Sequence, residues 1–142
     1  MNDLIAKADT LLEALPYVQR FRGETFVIKY GGSFMDSTDS AVRSGVARDV
    51  VFIEAVGINP VIVHGGGKAI TRALEQAGMT TRFEQGHRVT TPESVEVVEQ
   101  ILSREINPGI VGMINELGGK ARGFSGTEIF RCKPFRPLGQ AG

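Results

Sequence analysis

Eighteen of the 142 residues are glycine, well above the usual share of about 7%, and their placement constrains the fold more than any other feature. Gly31 and Gly32 stand directly after the β-branched and aromatic run Thr25 to Tyr30. Gly65, Gly66 and Gly67 stand one residue after Val61, Ile62 and Val63. Runs of this kind that stop in glycine are strands ending in tight turns. Three β-branched residues in a row also suit a strand buried on both faces. Helical stripes follow each run, so the order strand, helix, strand, helix predicts an α/β chain with a parallel sheet.

The other elements are read from spacing. Leu4, Ala8, Leu11, Leu12 and Leu15 form one helical stripe, Pro16 breaks or kinks that helix, and Val18 and Phe21 continue an apolar face. Ser37, Thr38 and Asp39 offer N-caps to a helix striped by Val42, Val46, Val50 and Ile53, with Gly57 as its stop. Ile70, Ala73, Leu74 and Ala77 stripe the next helix, which ends at Gly78. Thr90 with Glu93 predicts a capping box, with Pro92 in the first turn, ahead of Val95, Val98, Ile101 and Leu102. Asn107 and Pro108 start a further helix through Ile110, Val111, Ile114 and Leu117. Ser125 and Gly126 are expected to turn Ala121 to Phe124 back into Glu128 to Cys132 as a hairpin. Residues 134–142 show neither period nor cap.

Charge narrows the partners. Sixteen Lys plus Arg balance sixteen Asp plus Glu, which removes the broad positive field that nucleic-acid or anionic-membrane binding requires. Any anion must therefore meet a local site, and neither a nucleic acid nor a membrane is expected as a partner. Cys132 is the single cysteine, and with His64 and His87 it lacks zinc-site spacing, so neither a disulfide nor a metal centre is expected. The apolar runs are too short to span a bilayer, and Asp3 and Glu13 do not fit a signal peptide. The expected location is the cytoplasm.

In an open parallel sheet ligands gather at the carboxyl ends of the strands, where glycine lets backbone N–H groups approach an anion. Gly31 with Gly32, and Gly65 with Gly66 and Gly67, both fall there, and the second cluster also opens a helix. Neither common nucleotide signature is present: Ala69 follows Gly67-Lys68 where a P-loop has Ser or Thr, and Ile70 stands where the third glycine of the dinucleotide fingerprint belongs. Lys29, just before the first glycine turn, is a compact positive charge suited to a phosphoryl group in transfer. Arg88, in His87-Arg88-Val89-Thr90, is a natural fork for a carboxylate. His64 and His87 are better read as packing or hydrogen-bonding residues than as general bases, and Asp36, Asp39 and Asp49 as caps and solvated faces.

The strings Lys29-Tyr30-Gly31-Gly32-Ser33, Val61-Ile62-Val63-His64-Gly65-Gly66-Gly67 and Gly86-His87-Arg88-Val89-Thr90, in this order and separation, resemble the acetylglutamate kinases of the amino acid kinase family. The resemblance implies a three-layer α/β/α sandwich with a mainly parallel sheet. It implies transfer of the γ-phosphoryl of ATP, accompanied by Mg2+, to the side-chain carboxylate of N-acetyl-L-glutamate in arginine biosynthesis. On it, Lys29 stabilises the transition state, Gly31 and Gly32 touch the transferring phosphate, Gly65, Gly66 and Gly67 bond the substrate carboxylate, and Arg88 holds the α-carboxylate. Family members are roughly twice this length, so a truncated, substrate-side half is expected, inactive by itself, with nucleotide-binding residues and a second catalytic lysine outside it. Ser125-Gly126-Thr127-Glu128 also departs from the Gly-Lys-Asp pattern of the family.

The implied organisation is a kinked helix over 1–24 for oligomerisation, a substrate-binding half over 25–133 and an irregular tail over 134–142. A homo-oligomer, dimer or hexamer, is expected, with L-arginine as a possible effector. Two alternatives are a non-catalytic module that binds an acetylated amino acid or joins subunits, and another amino acid kinase whose substrate fits Arg88.

Overall fold

The computed structural model describes residues 2–31 and 39–133. Helix α1 spans Asn2–Phe21. Strand β1, Thr25–Tyr30, pairs in parallel with β2, Asn59–His64, in the register Thr25↔Asn59 to Tyr30↔His64. Between them runs α2, Ser40–Ala55, and after β2 comes α3, Gly67–Gln76. The predicted mixed α/β class with a parallel sheet is the one observed. Among the described residues the parallel sheet has two strands.

Asp39 is the N-cap of α2, its carboxylate accepting from the Ala41 amide at 2.8 Å. Ser37 and Thr38, also offered as caps, lie outside the described residues. Gly57, at φ +89, closes the other end, where the Ile58 amide reaches back to the Ile53 carbonyl at 3.2 Å. That left-handed turn is one a side chain with Cβ rarely adopts.

One face of the sheet is closed. Ile28 and Ile62 point toward α2 and a later helix, Asn107–Glu116, where Ala47, Val50 and Ile114 form a buried cluster, and Tyr30, next on the same side of β1, is buried too. The buried stripe of α2 therefore centres on Ala47, Val50 and Val51, rotated from the Val42 and Val46 line, and Val42 is exposed. The opposite face is open, with Val27 71% exposed and Val61 and Val63 nearly half exposed. This corrects the expectation of a strand buried on both faces: β-branched residues specify an extended backbone, but a covering layer must come from elsewhere in the structure.

A second cluster, Ile70, Leu74 and Ile101, lies between α3 and a long helical rod. The rod starts as α4, Pro92–Glu99, continues through a π-helical segment, Gln100–Ile106, and ends as α5, Asn107–Glu116. Two separate helices were expected here. The Asn107 amide bonds back five residues to the Leu102 carbonyl, and this wider turn carries the helix up to Pro108, which has no N–H to give. The capping box is Thr91 with Ser94, one residue later than Thr90 with Glu93, because Pro92 takes the first helical position and leaves Thr91 as the cap.

Two further expectations are corrected. Of a break or a kink at Pro16, the break is ruled out: Pro16 lies inside α1, which is helical to Phe21. The hairpin expected across Ser125 and Gly126 is instead a short helix, α6, Gly126–Ile129. Ser125 caps it and the Glu128 carboxylate accepts from the Ser125 amide at 2.9 Å, so Ser125-x-x-Glu128 is a helix start, not a hairpin turn. The preceding segment docks on α5 through Asn115, whose amide group exchanges hydrogen bonds with the Ala121 backbone.

Candidate functional site

The in-register pairing carries Tyr30 and His64 side by side to the carboxyl edge, so Gly31 and Gly65 leave the sheet together. Gly32 lies outside the described residues. The three glycines of the second cluster have separate reasons. The Gly65 amide is used, donating to the Tyr30 carbonyl at 3.2 Å and extending the ladder by one step. Gly66 is a packing glycine: a Cβ there would come within 2.6 Å of Ile106 Cδ1 and 2.9 Å of Leu102 Cδ2, on the π-helical segment. Gly67 begins α3 and has open space around it. No side chain caps α3, so its first-turn amides and the positive end of its dipole face the edge.

Arg88 reaches this edge from an antiparallel hairpin, β3, Phe83–Glu84, and β4, His87–Arg88. Gln85 and Gly86, both at positive φ, form its two-residue turn. The sequence signal was weak because Gln stands where Asn or Asp usually marks such a turn. The Arg88 guanidinium is half buried and lies 4.8 Å over the Phe83 ring. It donates from Nη2 to Thr71 Oγ1 at 2.7 Å and to the Gly67 carbonyl at 3.1 Å, and from Nη1 to Thr81 Oγ1 at 3.2 Å. Among the described residues no carboxylate pairs with it. Arg88 and the second glycine cluster, far apart in sequence, are thus in direct contact.

Lys29 stands opposite Val63 on the open face, one step before the edge. It is exposed and makes no hydrogen bond or ion pair with the described residues. The sheet brings Lys29 to the same edge as the glycines, but not into contact with Arg88. The residue before Gly65, His64, sits with Nδ1 3.2 Å from the Gly65 carbonyl oxygen and Nε2 3.3 Å from Asn107 Nδ2, which fits the hydrogen-bonding reading. Asn107 also donates to the Phe124 carbonyl at 3.3 Å. Its place at this junction was invisible in sequence, where it served only as a helix start.

An open hollow of about 690 Å³ lies beside Arg88, lined by Gly67, Lys68, Thr71, Arg72, Phe83 and Arg88. Three of those six residues are cationic and none is acidic, which suits an anionic ligand. Among the described residues no group of three or more His, Cys, Asp or Glu gathers as a metal site. No helix among them is long and apolar enough to cross a membrane.

Fold and edge together define an α/β domain with glycine turns at the carboxyl ends of two parallel strands. The amino acid kinase family model matches residues 24–133, and the chain belongs to that family. It is 53% identical to an acetylglutamate kinase of Akkermansia muciniphila over 89% of this chain and 42% of that protein. It is 53% identical to the Sphingopyxis alaskensis acetylglutamate kinase over 90% of this chain and again 42% of the relative. The chain thus spans less than half the length of the curated relatives it matches. In fold it is similar to an N-acetylglutamate synthase of Neisseria gonorrhoeae solved with coenzyme A and N-acetyl-glutamate. That likeness has a TM-score of 0.60 at 23% identity, over 80% of this chain and 25% of the other. A Streptococcus mutans protein gives a TM-score of 0.59 at 24% identity, over 68% of this chain and 37% of the other.

Proposed function

We propose that this chain is the acetylglutamate-binding part of a cytoplasmic kinase that phosphorylates the side-chain carboxylate of N-acetyl-L-glutamate, with ATP as donor, in arginine biosynthesis. The observation that carries this reading is the contact between Arg88 and Gly67 at the edge where Gly31 and Gly65 leave adjacent strands. Each charged part of the substrate then has a receiver of matching chemistry. Arg88, a cation held by neutral oxygens, takes the α-carboxylate. The open amides at the start of α3 take the side-chain carboxylate that becomes the acceptor.

Lys29 supplies a compact charge, without a competing partner among the described residues, to follow the negative charge that develops on the transferring phosphoryl group. Gly31 leaves the backbone open at that point, and with Gly32 after it in sequence it would touch the transferring phosphate. Among the described residues no carboxylate cluster gathers that would hold Mg2+; the ion would arrive with ATP, whose main contacts would lie outside these residues. The expected separation of roles is a test. In the full protein Lys29→Ala should cut turnover about a hundredfold with little change in affinity, a loss typical for one electrostatic group. Arg88→Ala should chiefly raise the KM for N-acetyl-L-glutamate. Wild-type kinetics in both variants would refute the assignment, and turnover by the 142-residue chain alone would refute the division of labour.

Residues 1–24 fit an oligomerisation element. Helix α1 is anchored at its end, where Phe21 meets Phe26 edge to face at 5.3 Å, while Leu4, Leu11 and Leu12 are all more than 60% exposed. Leaving such side chains wet costs about 1.5 kcal/mol or more each, and a second copy of the helix would cover them. L-arginine is the effector this arrangement would serve. Deleting residues 1–22 and measuring mass in solution checks the idea, and an unchanged oligomer would refute it.

A further inference from the structure

The acceptors around Arg88 constrain how it can bind an anion, and this inference rests on the site reading above. A guanidinium offers a carboxylate two bidentate edges, one through Nε and Nη2 and the other through Nη1 and Nη2. Both edges need a proton of Nη2. In this structure Nη2 donates to Thr71 Oγ1 at 2.7 Å and to the Gly67 carbonyl at 3.1 Å, so a carboxylate on either edge must share Nη2 with these two acceptors. The Thr71 hydroxyl in turn donates to the same Gly67 carbonyl at 2.9 Å, which closes a ring of three hydrogen bonds at the start of α3. Nη1 is held by Thr81 and the guanidinium plane by the Phe83 ring. The arginine is locked, but every group that locks it is neutral.

We propose that Thr71 is a positioning residue that holds Arg88 in a closed state, and that a ligand carboxylate opens it by taking the place of the Thr71 hydroxyl on Nη2. The exchange is favourable in sign because a carboxylate adds a full Coulombic attraction to the guanidinium that the neutral hydroxyl oxygen cannot give. It is selective, because a neutral group on the ligand would gain nothing over the hydroxyl it displaced. It also links ligand binding to the glycine loop: losing its bond from Arg88, the Thr71 hydroxyl keeps its own donation to the Gly67 carbonyl, and the hairpin then holds the first turn of α3 by one side-chain bond fewer. Thr71 and Arg88 are both half buried, so the exchange takes place where water competes poorly.

The test compares Thr71→Val, which removes the hydroxyl at nearly constant shape, with Thr71→Ser, which keeps it, in the full protein. The probes are N-acetyl-L-glutamate and 4-acetamidobutanoate, which lacks the α-carboxylate, titrated by calorimetry. In Thr71→Val the Kd of N-acetyl-L-glutamate should fall about threefold or more, because a mobile water replaces a fixed hydroxyl as the acceptor to be displaced. Thr71→Ser should bind it like the wild type, and the Kd of 4-acetamidobutanoate should not change in either variant. An unchanged or weaker affinity for N-acetyl-L-glutamate in Thr71→Val overturns the exchange, as does an equal gain for both probes. The closed state has its own readout without ligand: the Arg88 guanidinium nitrogens should show slow rotation by NMR in the wild type and Thr71→Ser, and fast rotation in Thr71→Val. Equally fast rotation in all three overturns the lock. Failure of the underlying site reading looks different: Arg88→Ala would then bind N-acetyl-L-glutamate as tightly as the wild type while the slow rotation in the parent protein persists.

Discussion

The two faces of the β1–β2 sheet are made from similar residues and have opposite surroundings. Ile28 and Ile62 are packed by Ala47, Val50 and Ile114 from two helices, and Tyr30 is buried on the same side, while Val27, Val61 and Val63, alternating with them on the same strands, stand in the open beside Lys29. The same alternation that buries one set must expose the other, since successive side chains point to opposite faces. The difference teaches that the closed face belongs to the stability of this chain, and the open face to whatever it meets, Lys29 being the charged group presented there.

The largest expected effect falls on the closed face. Ile114→Ala removes the centre of the cluster and should cost about 2–5 kcal/mol in urea unfolding, the usual range for a buried Ile or Leu to Ala. A cost below that of an exposed substitution would mean the cluster is not the core. At the edge the contrast sharpens between neighbours. Gly66→Ala puts a methyl 2.6 Å from Ile106 and 2.9 Å from Leu102, and should cost about 1–3 kcal/mol as overpacking. Gly65→Ala, with nothing within 4 Å, should stay near the wild type. Trimming Leu102 or Ile106 should recover part of the Gly66→Ala loss, and equal stability of the two glycine variants would refute the packing role.

A smaller effect concerns pH. Burial pushes the Tyr30 phenol above its ordinary value of 10.0, with the Arg43 charge pulling the other way. With the folded pKa raised, the stability this group contributes is fully present below the unfolded value and is lost as pH rises through the folded one. Tyr30→Phe should therefore flatten the fall of the urea midpoint above about pH 10, and an identical alkaline fall in both proteins would contradict it. Smallest of all is the open face. Val27→Thr, at a position 71% exposed, should shift stability by no more than about 0.5 kcal/mol; a larger loss would show that this face is covered in solution.

The sequence by itself determined the strand, helix, strand, helix order from β1 to α3, and the family. Glycine after β-branched runs set the strand ends, the Ile70 and Leu74 stripe set the buried side of α3, and the strings around Lys29, Gly65 and Arg88 set the family. These signals are local, so spacing along the chain carries them. What the tertiary structure decided is everything that depends on residues far apart. It split one glycine cluster into an extended ladder step at Gly65, a packing contact at Gly66 and an open helix start at Gly67. It made one rod from two predicted helices by widening the turn before Pro108, and it turned Ser125 from a hairpin into a cap. It also placed Arg88 against Thr71 and the Gly67 carbonyl, so that the fork read from sequence is held by neutral oxygens. No spacing rule could find that partnership, because hydrogen bonds across a fold depend on how helix and hairpin pack, and packing is settled by the whole chain at once.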